Sequence, residues 1–455
     1  MVLARLLTPQ DFGLIAMVTA VTGFVALFKD AGLSMATVQR AEITQAQVST
    51  LFWVNVALSC AVMLVVAALA PVLAWFYNEP RLVWITLALS ATFVLGGLTV
   101  QHQALLQRQM RFKDLALVDI VSLAAGILTA VVLASMGATY WSLVGMVGGT
   151  AATNCLMVWL ISGWRPGPPV RASGVRSMLR FGGGLTTFSA LNYFTRNADN
   201  MIIGFSLGSG PLGIYSKGYG LLLMPIRQFS APVSAVAVPA LSRLQENPEA
   251  YRRFLRRAVS VLAFVGMPIV AFSAVAAHDL VRVLLGPSWG EVATVFQLLA
   301  PAALMGTLNV VPGWLCTSLG QTRKMVYWAC FSAPIMVAGF AIGVRWGING
   351  VAVAVSITWT CLQAWFIVYA CRSSPVSWRD VLACAWRPLL SAAAGSAAVG
   401  LLSRAPVELG LPIVRVAVNL MGFGVTYLTV HSGLPGGRRE LTSMLENMRH
   451  LRRRE

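Results

Sequence analysis

The chain has 455 residues, 57% of them hydrophobic and only 11% charged, with a mean hydropathy of +0.73. A soluble globular protein carries charge on about a quarter of its residues, so this composition excludes one and points to a chain that faces hydrocarbon. The 34 Lys and Arg against 16 Asp and Glu leave a formal charge of +18; in so apolar a chain that excess reads as cytoplasmic loops beside anionic lipid, with no nucleic-acid partner.

A helix that spans a bilayer needs about 20 mostly apolar residues. In chain order, segments of that kind run 12–28, 51–73, 82–105, 115–136, 141–161, 181–207, 212–238, 259–277, 292–315, 326–344, 350–369, 389–402 and 413–430, after a stub at 1–7. The expected fold is an all-α integral membrane protein with about 13 complete transmembrane helices. Connections are short and carry turn residues, as in Asn78-Glu79-Pro80 and Gly208-Ser209-Gly210-Pro211. None has room for a soluble domain. The seven cysteines (Cys60, Cys155, Cys316, Cys330, Cys361, Cys371 and Cys384) lie in or at the ends of the apolar segments, with no Cys-x-x-Cys pair. They read as small buried hydrophobes, neither a disulfide framework nor a zinc site. The start shows neither the charged region nor the cleavage site of a signal peptide.

Loop charge orients the segments. Twenty-four of the 34 basic residues fall in one set of alternate loops and the tail, among them Arg108, Arg111, Arg165, Arg252, Arg256 and Arg387. The opposite set holds six: Arg5, Arg81, Arg282, Arg345, Arg404 and Arg415. The basic set and the C-terminus are therefore expected in the cytoplasm of a multi-pass inner-membrane protein. Lys29, Arg196, Lys217 and Arg227 remain, in or at the ends of apolar segments. The tail places Leu441, Met444, Leu445, Met448 and Leu451 on one helical face beside arginines, the pattern of an interfacial amphipathic helix.

The sequence also repeats. Leu7-Thr-Pro-Gln-Asp-Phe-Gly13-Leu14 matches Leu207-Gly-Ser-Gly-Pro-Leu-Gly213-Ile214, Gly137-x-x-x-Trp141 aligns with Gly347-x-x-x-Val351, and Pro80 corresponds to Pro287. The matches follow the segment order, which favours two parallel six-helix halves. Segment 181–207 has no full counterpart before Leu7, so the first half is expected to be short of its first helix. The expected organisation is an N-terminal bundle over 1–161, a cytoplasmic linker over 162–180 and a C-terminal bundle over 181–371. Two additional helices over 372–431 and a basic tail over 432–455 complete it.

The strings Leu3-Ala-Arg-Leu-Leu-Thr-Pro-Gln-Asp-Phe-Gly-Leu14, Asp30-Ala-Gly-Leu-Ser34, Asn192-Tyr-Phe-Thr-Arg-Asn-Ala-Asp-Asn200, Pro239-Ala-Leu-Ser-Arg-Leu-Gln245 and Leu284-Leu-Gly-Pro-Ser-Trp289 carry a family likeness. The chain resembles the polysaccharide-transporter branch, colanic-acid and O-antigen exporter type, of the multidrug/oligosaccharidyl-lipid/polysaccharide exporter superfamily. The likeness runs from Val2 to about Tyr369. It implies two pseudo-symmetric six-helix bundles plus two extra helices, alternating access, and translocation of undecaprenyl-diphosphate-linked oligosaccharides for surface polysaccharide. It also implies, as partners, the polysaccharide polymerase and chain-length machinery.

Candidate site residues follow from intramembrane polarity. Ser189, Asn192, Arg196, Asp199 and Asn200 recur at three- and four-residue spacing and form one polar stripe on an apolar helix. An arginine at the bilayer centre costs about 2.5–3.5 kcal/mol and turns to a cavity or a partner; Asp199 offers a partner to Arg196. Lys217 and Arg227 lie ten residues apart, within about 80° of each other around a helix. Arg196, Arg227, Lys217, Asn192 and Asn200 are thus the candidate substrate-binding residues, the arginines because their planar fork suits a diphosphate. Asp199, Asp30 and Asp119 are the carboxylates available to couple transport to Na⁺ or H⁺. No other cofactor, metal or catalytic residue is expected, since His102, His278, His431 and His450 lack metal-ligand spacing. A drug or cation exporter of the same superfamily should show an acidic cavity, and a membrane polymerase should show a sizeable outer loop. The exporter of anionic lipid-linked sugar fits the basic residues better than either.

Overall fold

The computed structural model describes residues 2–26, 34, 37–38, 43–170, 193, 197–402 and 412–442. Among these residues every regular element is a helix. Eleven apolar helical stretches are long enough to cross a membrane, and the longest, Thr322–Cys371, is two helices broken by a 3₁₀ turn at Val344–Trp346. Twelve of the thirteen expected segments are thereby accounted for; 181–207 lies mostly outside the described residues. The outer surfaces are apolar: Ile120, Leu128, Leu160, Ile357 and Leu401 are each more than 60% exposed. So much exposed aliphatic surface is stable only against lipid.

The chain divides into two compact units, Met1–Gly213 and Ile214–Glu455. The division falls beyond the expected 162–180 linker, for two reasons. Residues 163–170 run along the start of the helix Gln45–Tyr77: Trp53 Nε1 donates to the Gly167 carbonyl at 2.9 Å, and Ser49 Oγ accepts from Gly167 N at 3.0 Å. Tyr193 and residues 197–213 then pack on the first long helix, with the Tyr193 hydroxyl donating to the Thr19 carbonyl at 2.8 Å.

The first unit is built on α1 (Val2–Leu6), α2 (Pro9–Ala26), α3 (Gln45–Tyr77), α4 (Leu82–Arg108), α5 (Phe112–Ser135) and α6 (Trp141–Ser162). Caps set the helix ends. Thr8 and Asp11 form a reciprocal box before α2, the Asp11 carboxylate accepting from Thr8 N at 2.9 Å and Thr8 Oγ1 at 2.7 Å. Thr44 and Gln47 do the same before α3, which ends at Asn78 in a left-handed conformation. The loop charges sort to two ends, as alternate loops require. At one end Arg108 donates to the Thr37 carbonyl, Arg111 to that of Ile161 and Arg165 to that of Trp159. At the other, Arg81 grips Glu79 through two bonds of 2.7 and 2.8 Å and feels the charge of Asp11. That fork holds the Glu79 carboxyl below its ordinary range.

The second unit begins in α7 (Ser209–Arg243), which crosses the division, and continues through α8 (Pro248–Val275), α9 (Ala277–Leu284), α10 (Gly290–Gly306), α11 (Val310–Ser318), α12 (Thr322–Gly343), α13 (Gly347–Cys371), α14 (Trp378–Leu402) and α15 (Pro412–Gly433). The two additional helices, α14 and α15, are built into this unit. Tyr427 donates to the Phe264 carbonyl at 2.8 Å, and Arg252 of α8 makes a two-pronged ion pair with Asp380 of α14 at 2.8 and 2.6 Å. The described part of the tail is tied down as well, Glu440 accepting from Arg387 at 3.2 Å. The amphipathic face from Met444 onward lies outside the described residues. One expectation needs correction: Cys330 and Cys361 are exposed. An apolar thiol on a lipid-facing helix has no need of burial.

Candidate functional site

The site is best seen along α7. Its 35 residues contain Pro225, Pro232 and Pro239, a spacing that removes one backbone donor every second turn. One side of its C-terminal half is locked into the core of the second unit: Ala237 and Leu241 are buried with Leu255, Leu262 and Leu315. Trp314 Nε1 also donates to Ser234 Oγ at 3.0 Å. The other side is uncovered. Gly220, Met224, Arg227, Gln228, Ala231 and Ala235 are all exposed, and their spacing of three, four and seven residues makes one stripe.

Arg227 and Gln228 are the polar members of that stripe, midway along an apolar helix. Facing hydrocarbon would cost the arginine about 2.5–3.5 kcal/mol, so an uncovered arginine here marks a face that meets water or a polar ligand. Lys217 sits half-buried toward the other end of the stripe. The same helix thus carries both expected cations, with an uncovered surface between them. Gln228 was not among the residues singled out from sequence; its place beside Arg227 was visible there, its exposure was not.

The remaining candidates separate. Asp199 is buried, 5% exposed, and accepts from the Asn200 backbone N–H at 2.8 Å, while Asn200 is half-buried. Asp119 is exposed on α5 among the exposed side chains Leu117, Ile120 and Leu123. Asp30, Asn192 and Arg196 lie outside the described residues.

Two further features escaped the sequence. In the first unit, the fully buried His102 is held between Phe52, Trp159 and Trp164 rings and bonded to Ser162 Oγ through Nδ1 at 2.8 Å. In the second unit an apolar cavity of about 580 Å³ opens between α8, α10, α13 and α14, lined by Met267, Leu304, Ile367, Trp378, Trp386 and Leu389. Its two tryptophans are covered by guanidinium groups, Arg379 lying 5.6 Å from the Trp378 ring and Arg387 5.3 Å from Trp386. An apolar slot with an indole and arginine rim has the chemistry of an acyl or prenyl chain below a charged head.

Comparison with known proteins gives the family and the fold. The model of a family described as polysaccharide biosynthesis protein matches residues 2–294. The lipopolysaccharide biosynthesis protein WzxC of Escherichia coli (strain K12) is 25% identical over 398 residues, 85% of this chain and 80% of that one. The succinoglycan biosynthesis transport protein ExoT of Rhizobium meliloti (strain 1021) is 26% identical over 365 residues, covering 79% and 72%. Among solved structures, the lipid II flippase MurJ in an inward closed conformation superposes with a TM-score of 0.75 at 12% identity, over 95% of this chain and 94% of that one. An inward-facing multidrug resistance MATE family transporter of the MOP superfamily gives 0.65 at 13% identity, over 84% and 93%. The fold is that of these transporters, and the relatives are named for polysaccharide synthesis and transport.

Proposed function

The chain belongs to the polysaccharide biosynthesis protein family, and from that premise we propose that it is a flippase for undecaprenyl-diphosphate-linked oligosaccharide units. It carries them across the bacterial inner membrane by alternating access, for surface polysaccharide. The observation that carries this reading is Arg227, uncovered beside Gln228 on the open face of α7. A guanidinium binds phosphate oxygens two at a time, and an amide donates to and accepts from sugar hydroxyls. Arg196 and Lys217 add cationic capacity, and Asn192 and Asn200 add hydrogen-bonding groups. The apolar cavity beside Trp378 and Trp386 suits the prenyl chain. The test is export itself: in a strain lacking its own exporter, the chain restores surface polysaccharide, and lipid-linked units stop accumulating on the inner leaflet. Continued accumulation with the protein present in the membrane would refute the reading.

The MATE-like fold keeps a drug or cation exporter as the second reading, but the exposed charge of the α7 stripe, Arg227, is basic, which repels a cationic substrate. Of the two described coupling candidates Asp199 suits Na⁺ or H⁺ better, because it is buried whereas Asp119 is exposed. Anionic lipids, the polymerase and the chain-length machinery complete the proposed partners. The basic loop set favours a C-terminus in the cytoplasm. A reporter fused after Arg454 is expected to be active on that side only, and one inserted between Gly208 and Pro211 on the other; the reverse pattern would invert the assignment.

A further inference from the structure

One end of the second unit holds a half-buried ion contact made by the tail. After α15 the chain turns back on itself between Leu434 and Gly437. Gly436 stands at φ +80°, and a Cβ built on Gly437 would lie 1.8 Å from the His431 carbonyl oxygen, so the turn packs backbone against backbone. It carries Glu440 in among the helices. The Glu440 carboxylate, 13% exposed, accepts from Arg387 Nη1 of α14 at 3.2 Å and lies 3.7 Å from His431 Nε2 of α15. His431 is itself fully buried, its ring set against Phe264 of α8 and Tyr427 of α15.

The residues around this carboxylate offer more than it takes up. Arg387 Nε and both ring nitrogens of His431 are buried with no hydrogen bond among the described residues. Each buried polar group left unpaired costs about 1–3 kcal/mol. A phosphate has more acceptor oxygens and more charge than a carboxylate, and so can pair with more of them. The position also matters. The same guanidinium lies 5.3 Å from the Trp386 ring, and Trp386 lines the apolar cavity, so an anion held by Arg387 stands beside that slot. The carboxylate, finally, belongs to a terminal segment next to the exposed Arg438 and Arg439. If it lets go, those arginines keep the tail at an anionic membrane surface, from which it can return.

We propose that Arg387 and His431 form a binding site for the phosphate of a membrane lipid whose chain enters the apolar cavity, and that Glu440 occupies this site until the lipid displaces it. The inference rests on the transport reading only for which lipid arrives, and the test separates the two. The purified full chain is placed in phosphatidylcholine nanodiscs, either alone, with undecaprenyl phosphate, or with phosphatidylglycerol. Hydrogen exchange over residues 434–442 reports the tail, and native mass spectrometry reports lipid affinity. A lipid phosphate is expected to raise exchange about tenfold in the parent. Glu440→Gln is expected to exchange fast without added lipid and to bind lipid phosphate about tenfold more tightly. Arg387→Gln alone would strand the Glu440 charge, so the neutral pair Arg387→Gln with Glu440→Gln is used instead. It is expected to bind about tenfold more weakly than Glu440→Gln, the loss of a charge-assisted hydrogen bond. Displacement by undecaprenyl phosphate but not by phosphatidylglycerol makes the prenyl lipid the occupant; displacement by both makes it any lipid phosphate. Unchanged exchange with either lipid, or equal affinity of the neutral pair and Glu440→Gln, overturns the proposal. If the parent chain fails to export polysaccharide yet lipid phosphate releases the tail, the substrate reading falls and the site stands.

Discussion

Arg227→Gln is expected to lower polysaccharide export by about ten- to a hundredfold, the loss of one or two charge-assisted hydrogen bonds. Protein in the membrane should stay at the parental level or rise. The second half of that statement separates a binding residue from a structural one. Arg227 is exposed, with no ion pair among the described residues, and it stands in an apolar helix where its insertion is unfavourable. Removing its charge therefore leaves no buried partner stranded and makes insertion easier by about 2.5–3.5 kcal/mol at most. Arg227→Lys keeps the charge but loses the fork, so an intermediate loss is expected. Arg196→Gln in the same assay tests the other proposed arginine. Export at the parental rate from Arg227→Gln would show that the exposed stripe of α7 does not touch the substrate's charged part.

Much of the architecture was legible in the sequence because lipid makes composition decide. The apolar runs fell where the helices are, and the loop charges sorted to two ends of the first unit as alternate loops should. Helix ends were less legible, since they depend on polar residues in the interface. Gln45–Tyr77 overran the expected 51–73 on both sides because the Thr44–Gln47 box and the left-handed Asn78 set its limits. The repeat register was legible down to single residues, and Gly13 and Gly213 meet as corresponding positions. The exposure of Arg227 was not, because ten residues of separation give an azimuth but not what covers it. The rim of the apolar cavity and the His102–Ser162 bond were also hidden, since each joins residues far apart in the chain, which local pattern cannot pair.

Asp380→Ala is expected to lower the amount of folded protein in the membrane several-fold and to depress the melting temperature of what remains. Three supports depend on this carboxylate, which is itself only 5% exposed. It accepts from Ser377 N at 3.0 Å and Ser377 Oγ at 3.2 Å, closing the first turn of α14 as a capping box does. It receives both prongs of Arg252, which ties α14 to α8. It also lies 3.9 Å from Arg256, so its loss leaves two arginines of one helix facing an uncapped helix start with no compensating charge. Because α14 supplies Trp378, Val381, Ala385 and Trp386 to the apolar cavity, loosening its start should also reduce export per molecule. Modest destabilisation of a marginal protein is enough to change its abundance several-fold. The Arg252 bond and the cap can be separated. In the Asp380→Ala background, Arg252→Ala should cost little more, because the partner is already gone, whereas Asp380→Asn should recover part of the cap but not the ion pair. Raised salt should narrow the gap between parent and variant, since Arg252 is half exposed and its charge is screened. Asp380→Ala at parental abundance and melting temperature would mean that core packing alone holds α14 to α8.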